Sequence, residues 1–268
     1  MNNKKDEISK SAIEQFMNEC PFSTNIIVLD TVDSTNTYAK ALALSDAKSG
    51  TCVIAKTQTS GRGRLGRSFF SPSDTGIYMS IIIRPESECK KTVPYTIAAC
   101  VAVCKVLEKY SDNTVEIKWV NDIFSNGKKV CGILTEGGTT AGNTKIDYYV
   151  VGIGINTSTP ADGFPEEIQK IAGALSDINA SKNQLIAEII SELLDLCQNA
   201  SDNEIIEEYK NRSFIIGKPV SYIKNGEIIT GVAKDINIAG NLIVRLGSGE
   251  TDTLISGEVS LRSENFTN

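Results

Sequence analysis

Histidine is absent from all 268 residues. That omission removes every Ser-His-Asp or Cys-His nucleophile, every imidazole base and every histidine metal site, and with them much of hydrolase chemistry. The seven cysteines include no Cys-x-x-Cys pair, and Cys100 and Cys104 sit four apart in an apolar helical pattern, where they read as packed, reduced thiols. No apolar run approaches the roughly 20 residues of a membrane span, and the polar start at 1–10 is not a signal peptide. The expectation is a cytoplasmic protein with no membrane partner. A net charge of -6 and a pI of about 5.0 argue against broad nucleic-acid affinity, which needs a basic face.

Against that acidic background stands Gly61-Arg62-Gly63-Arg64-Leu65-Gly66-Arg67, with three guanidiniums in seven residues and no carboxylate among them. Glycines let backbone N–H groups approach a ligand closely, and arginine forks match carboxylate or phosphate oxygens. The stretch therefore suits a phosphate-bearing small molecule. It is not a P-loop, because no Gly-Lys-Ser/Thr closes it, and it lacks Gly-x-Gly-x-x-Gly spacing. Taken alone, it reads equally well as a flexible basic surface loop. Its three glycines would also permit a lid that is disordered when empty and closes on ligand.

Length and periodicity organise the rest. A chain of 268 residues suits one large domain and one small one. The pattern predicts a lead-in helix over 11–18, a strand over 26–29, and a helix carrying Tyr38, Ala39, Leu42 and Ala43 that Thr35 or Asn36 could cap. Strands are expected at 52–56 and 76–84, a core helix at 94–110, and two strands at 116–119 and 130–134 joined through the hairpin signal Asn126-Gly127. The stretch 79–83 could pair edge to edge with a second copy, giving a homodimer, or lie mid-sheet. After a strand within 145–156, helices are expected at 164–174, 183–197 and 205–209. Short strands then follow at 220–223, 228–236, 242–246, 252–255 and 259–262, with turns at Asn225-Gly226, Gly240-Asn241 and Ser248-Gly249. They predict a small five-stranded barrel. The fold class is α+β, a mixed or antiparallel sheet with helices segregated to one side.

Five segments stand around this frame: Asp33-Ser34-Thr35-Asn36, the arginine loop, Lys118-Trp119-Val120-Asn121-Asp122, Lys129-Val130-Cys131-Gly132-Ile133-Leu134 and Gly152-Ile153-Gly154-Ile155-Asn156. In this order and spacing they resemble the biotin protein ligases, over most of the chain from Asp33 to Arg262. The resemblance implies a catalytic domain like that of class II aminoacyl-tRNA synthetases and an SH3-like C-terminal barrel, with a lead-in at 1–25, the biotin- and ATP-binding domain at 26–215 and the barrel at 216–268. It implies ATP and biotin as substrates, Mg²⁺, a biotinyl adenylate and a biotin carboxyl carrier protein as acceptor. Barely thirty residues precede Asp33, too few for the helix-turn-helix of the bifunctional members, so no operator binding is expected.

Carried over by motif, Ser34, Thr35, Asn36 and Gln58 match the polar groups around the biotin head group, and Gly132 a backbone contact beside its chain. Gly61, Arg62, Gly63 and Arg64 match the loop over biotin and adenylate, and Arg67 a phosphate contact. Lys129 matches the lysine between carboxylate and α-phosphate. Asn121 and Asp122 match a pair near nucleotide and Mg²⁺, Asn156 a residue facing the adenylate, and Arg262 an arginine reaching back to the nucleotide. Lys129, Arg64, Arg67 and Asp122 form the expected catalytic set. Trp119 reads as a packing residue. The family often has tryptophan at Phe69, proline at Val120 and a third basic residue at Leu65; Phe69 keeps an aromatic face for adenine. Two other readings remain: a lipoate or octanoate ligase or transferase of the same fold, and a non-catalytic biotin or nucleotide sensor. The retained Arg62, Arg64, Asp122 and Lys129 count against the sensor.

Overall fold

The computed structural model describes residues 7–17, 20–85, 93–142, 145–175, 177–257 and 259–261. Arg262, Cys89 and Asn18 fall outside that set. Strands β1 (Asn25–Val32), β2 (Thr51–Gln58), β3 (Gly76–Ile83), β4 (Val115–Lys118), β5 (Asp122–Ser125), β6 (Lys128–Gly138) and β7 (Tyr148–Asn156) make one mixed sheet. Its order is β1-β2-β3-β7-β6-β5-β4, parallel only between β1 and β2. Strand β3 is buried along its whole length because β2 and β7 flank it. It lies mid-sheet, so 79–83 offers no edge to a second copy.

Side chains alternate across a strand, and here both faces are used. Ile77, Met79, Ile81 and Ile83 join the main core with helices α1 (Lys10–Phe16), α3 (Tyr95–Tyr110) and α4 (Lys182–Gln198). Helix α3 buries ten residues between Ile97 and Leu107, and each full-sized aliphatic there contributes about 1.5–3 kcal/mol. On the opposite face, Val53, Ile82, Tyr148 and Val150 pack under Ala39 and Ala43 of helix α2 (Thr35–Leu44). Helices therefore pack on both faces of the sheet, whereas the sequence led to the expectation of one side only. The small alanine stripe lets α2 lie close over one end of the sheet, and the rest of that face stays available for a cavity.

Local chemistry sets the element ends. Ser9 and Ser181 accept backbone N–H groups at the starts of α1 and α4, and Ser201 with Glu204 forms a capping box for α5 (Asp202–Arg212). Ser34, not Thr35 or Asn36, is the N-cap residue of α2, without a side-chain capping bond, and the side chains of Thr35 and Asn36 are turned to other uses. Asn126 at φ 51 and Gly127 at φ 72 give a tight two-residue hairpin. It joins β5 to β6, not the strand at 115–118 to β6; the short strand β5, unforeseen in sequence, intervenes. No helix forms over 164–174. Turns there end in backbone bonds Lys129 N to Ile171 O at 2.8 Å and Gly173 N to Lys129 O at 2.9 Å, so pairing with β6 takes the groups a helix would use.

The C-terminal strands β8 (Pro219–Lys224), β9 (Glu227–Ile236), β10 (Leu242–Leu246), β11 (Thr251–Leu254) and β12 (Ser260–Leu261) form a separate antiparallel sheet ordered β11-β10-β9-β8-β12. The expected five strands are present, with no closure between β11 and β12 among the described residues. Val220, Ala233, Ile236, Leu242 and Val244 continue the main core, and the buried Trp119 donates its indole N–H to Gly240 O at 2.9 Å. Trp119 thus fastens the two sheets together, the packing role expected of it. Cys20, Cys52, Cys100, Cys104 and Cys131 are free thiols, and Cys100 and Cys104 are buried. Among the described residues no helix is long and apolar enough to cross a membrane.

Candidate active site

Glycines floor the cavity. Gly132 of β6 pairs with Gly154 of β7, and Gly152 lies one step along the same face. A Cβ on Gly154 would stand 2.5 Å from the Phe69 ring, and one on Gly132 would stand 3.3 Å from it. Phe69 therefore lies on a bare patch of sheet, in edge contact with Tyr78. Beside it, β6 carries a bulge: the register shifts between Ile123 and Phe124, leaving Val130 unpaired between Lys129 and Cys131. A bulge re-aims the side chains that follow or precede it. Without the extra residue Lys129 would share a face with Cys131 and the core; with it, the amine lies over Gly132, where a built Cβ would be 3.4 Å from Nζ.

Lys129 Nζ stands 2.7 Å from Asp122 Oδ1. The distance is that of an ion pair, but its angles do not make a hydrogen bond, and this buried oxygen accepts from no donor among the described residues. Asn121 is held twice to β6: its side chain donates to Ile133 O at 2.8 Å, and its own carbonyl accepts from Ile133 N at 3.0 Å. Asn156 donates to Gly173 O at 3.0 Å.

A polar wall closes the other end. Ser34, Thr35 and Asn36 are all buried at the start of α2. Gln58 accepts from Thr35 N at 2.8 Å and donates to Ser71 Oγ at 2.8 Å. Asn36 donates to Leu134 O at 3.2 Å and to Glu136 Oε2 at 3.0 Å. Ser80, fully buried on β3, lies 2.8 Å from Thr35 Oγ1 and 2.6 Å from Asn36 Oδ1. Ser80 pairs with Gly152 across the ladder, and a Cβ on Gly152 would come within 2.1 Å of Asn36 Oδ1. Gly152→Ala should thus expel Asn36 from its seat at an overpacking cost of about 1–3 kcal/mol. The thermal midpoint should fall by roughly 2–4 °C per kcal/mol; an unchanged melting curve would contradict this seating.

The arginine loop folds back on itself, Gly63 N donating to Arg67 O at 2.7 Å and Phe69 N to Gly61 O at 2.8 Å. A Cβ on Gly61 would meet Phe69 O at 2.4 Å, so the loop base needs glycine there. Arg62 reaches Glu136 at 3.2 Å and Arg64 donates to Asn121 Oδ1 at 3.0 Å. Leu65, at φ 55 and 72% exposed, forms the outer tip. Burial pushes the Glu136 carboxyl up, but hydrogen bonds from Lys40 and Asn36 and the charges of Lys40 and Arg62 outweigh it and hold the group below the usual carboxylate range.

These parts meet in one cavity of about 430 Å³. Of the residues singled out from sequence, Ser34, Thr35, Asn36, Gln58, Arg62, Gly63 and Arg64 line it, as do Arg67, Phe69, Asn121, Asp122, Lys129, Gly132 and Asn156. Gly61 stands just behind at the loop base, and Arg262 is beyond the described residues. Sequence reasoning missed Ser80 and Glu136, which act through their neighbours, and Lys118, which also lines the cavity. It also missed the wall of Phe164, Ile168 and Ile171 and the edge at Val259 and Ser260. A buried serine in an apolar strand was the one available signal. The charged lining comprises Arg62, Arg64, Arg67, Lys118 and Lys129 against Asp122 alone, so the cavity as a whole favours anions. Among the described residues no cluster of three potential metal-ligating side chains exists. Asp122 is the one carboxylate on the lining; Mg²⁺ binds through one or two carboxylates and otherwise through water and phosphate, and at Asp122 it would have to displace the Lys129 ammonium 2.7 Å away.

Residues 28–156 match the biotin/lipoate A/B protein ligase family, and residues 215–262 match the biotin protein ligase C terminal domain. The bifunctional ligase/repressor BirA of Bacillus spizizenii is 38% identical over 179 residues, 67% of this chain and 54% of that protein. The chain thus spans about half the length of that relative. BirA of Escherichia coli is 31% identical over 247 residues, 89% of this chain and 74% of that protein. Among solved structures, the biotin protein ligase from Aquifex aeolicus in complex with biotin and ATP has a TM-score of 0.72 at 28% identity, covering 90% of this chain and 99% of that one.

Proposed function

Since the chain belongs to the biotin/lipoate A/B protein ligase family, we propose that it is a biotin protein ligase, joining biotin to ATP and passing it to a lysine of a biotin carboxyl carrier protein. One observation carries the reading: a single cavity has a hydrogen-bonding end, where Arg62 is paired with Glu136, and a cationic end, where Arg64, Arg67, Lys118 and Lys129 meet one carboxylate, Asp122. That suits a ligand with an uncharged polar head and an acidic tail lying beside a polyphosphate. The ligases named among the relatives and the Aquifex complex with biotin and ATP support it.

In the first step a biotin carboxylate oxygen attacks the α-phosphorus, and the bond to pyrophosphate breaks. The carboxylate is already ionised at neutral pH, so a chain without histidine lacks nothing here. The obstacle is repulsion: two anions about 4 Å apart repel by roughly 4 kcal/mol at an effective dielectric near 20. Lys129, aimed by the bulge across Gly132, sits between the two ends and offsets that term. Arg64 and Arg67 take phosphate oxygens, and Phe69, Asn121 and Asn156 border the nucleotide. Ser34, Thr35, Asn36 and Gln58 surround the biotin head group, with Gly61, Arg62 and Gly63 above it. Asp122 would hold Mg²⁺, which when bound screens phosphate charge. In the second step a deprotonated lysine amine of the carrier attacks the biotinyl carbonyl, and AMP leaves.

The test is direct. The protein is incubated with ATP, Mg²⁺ and either biotin or lipoate, and pyrophosphate release and acylation of a biotin carboxyl carrier domain are followed. Turnover with biotin alone is expected. Preference for lipoate, or binding without pyrophosphate release, would overturn the reading in favour of a lipoate ligase or a sensor.

A further inference from the structure

The turn between β4 and β5 lies against the core rather than in open water: Trp119 is buried and Val120 packs on the main core. Lys118 pairs with Asp122 across this hairpin, leaving the three-residue turn Trp119-Val120-Asn121, and Lys118, Asn121 and Asp122 all reach the cavity. A turn in such a place must find partners for its backbone groups, which is why most turns stay at the surface. Here each turn residue is tied to a different part of the molecule. Trp119 donates to Gly240 O, and Asn121 is bonded to Ile133 on β6. Between them Val120 O accepts the Tyr209 hydroxyl at 3.0 Å and meets the Cys100 thiol at 3.7 Å. A thiol is a weak donor, so the phenol is the stronger hold. Tyr209 is fully buried on α5, behind the cavity lining, and burial pushes its hydroxyl well above the usual phenol range, which keeps the proton on it. The helix that carries it is firmly seated. Arg212 of α5 donates to Glu108 of α3 at 2.7 and 2.8 Å, and just beyond α5 Phe214 N donates to Ile117 O of β4 at 3.2 Å.

We propose that Tyr209 is a positioning residue for adenylation: by holding Val120 O it fixes the turn from which Asn121 and Asp122 meet the nucleotide, while touching no substrate itself. This rests on the biotin ligase reading. Without the hydroxyl, Val120 O keeps the weak thiol, and the turn shifts to regain a better donor. Asn121 and Asp122 move with it, and so does the partner that Lys129 meets at 2.7 Å. A misplacement of about 1 Å caused far from the chemistry can slow a reaction by about 10²-fold. The polar wall around Thr35, at the opposite end of the cavity, keeps its place. Trp119 is the only tryptophan in the chain and neighbours Val120, so its emission reports any displacement of the turn directly.

Tyr209→Phe keeps the ring and removes only the bond. Well below the melting temperature, kcat for pyrophosphate release should fall by about 10–10²-fold, KM for biotin should stay as it was, and Trp119 emission should shift. In an Asp122→Asn background the same substitution should slow the reaction far less, because a group that the turn positions is already lost. Beside Thr35→Ala, at the other end of the cavity, it should exert its full factor. A kcat as in the wild type, a reduced kcat with unmoved Trp119 emission, a rise in KM for biotin, or equal factors in the two backgrounds overturns the proposal. Should Tyr209→Phe not fold, Cys100→Ala decides: with the phenol holding the carbonyl this variant should turn over like the wild type, and a loss of about tenfold or more would assign the hold to the thiol instead. A wild type that releases no pyrophosphate with biotin defeats the ligase reading, whereas an active wild type matched by Tyr209→Phe defeats this proposal alone.

Discussion

Lys129→Ala will slow biotin adenylation by about 10²–10³-fold, the usual loss when one preorganised electrostatic contact is removed, and it will leave the fold standing. The size follows from how firmly the amine is placed. The Lys129 backbone is tied on both sides, donating to Ile171 O at 2.8 Å and accepting from Gly173 N at 2.9 Å. Its side chain crosses bare glycine at Gly132 and ends 2.7 Å from Asp122. Little ordering remains to be done when the two anions arrive, so the stabilisation is available at the moment of reaction. Stability should hardly change, because both partners of the ion pair are partly open to solvent and such pairs contribute about 0–1 kcal/mol. Pyrophosphate release in single turnover, beside a thermal melt, checks both halves. Near-wild-type turnover would remove Lys129 from the mechanism, and a collapsed melt would make its role structural. Lys129→Arg should not restore the rate, since a compact ammonium 2.7 Å from Asp122 is replaced by a broader, planar guanidinium that presents its donors in a different geometry.

That placement was only half legible in the sequence. Lys129 itself stood out by its neighbours, and a turn at Asn126-Gly127 followed from turn chemistry, although the loop expected there was longer than the two-residue turn that forms. The bulge at Val130 did not, because an extra residue in a strand leaves no mark on composition. Strand β5 was hidden for a related reason: Asn121-Asp122 looks like a turn, and four residues are too few for a period to declare itself. The stretch 164–174 has helix-like spacing at Ile168 and Ile171, yet its backbone is claimed by Lys129, a long-range pairing that no local pattern announces. The two-sided use of the sheet was equally silent, since Ala39 and Ala43 read as helix formers without saying what lies beneath them. Gln58, Thr35 and Asn36 were visible as polar groups. The contacts of Thr35 and Asn36 with Ser80 required the sheet to bring β3 against α2.

Arg64→Gly should turn a retentive enzyme into a leaky one. Arg64 joins the loop to the strand side of the cavity through Asn121 Oδ1 at 3.0 Å, and Asn121 is in turn locked to Ile133 by two bonds. A further side-chain tie of the loop is the ion pair of Arg62 with Glu136 at 3.2 Å. Removing Arg64 leaves the Arg62 tie in place and loosens the loop where it met Asn121. It also withdraws a guanidinium from the phosphate end. A hydrogen bond to a charged group contributes about 1.5–3 kcal/mol, so the adenylate should leave about 10–10²-fold faster. The released mixed anhydride reacts with any amine it meets, and lysines of an unrelated bystander protein should become biotinylated. Release of labelled adenylate in a chase, with biotin counted on the bystander, reads both effects. Asn121→Ala separates the causes: it cuts the tie but keeps the guanidinium, and should speed release by a smaller factor than Arg64→Gly. Equal effects from the two variants would mean that Arg64 acts only as a latch, whereas retention as in the wild type would mean that it holds no phosphate at all.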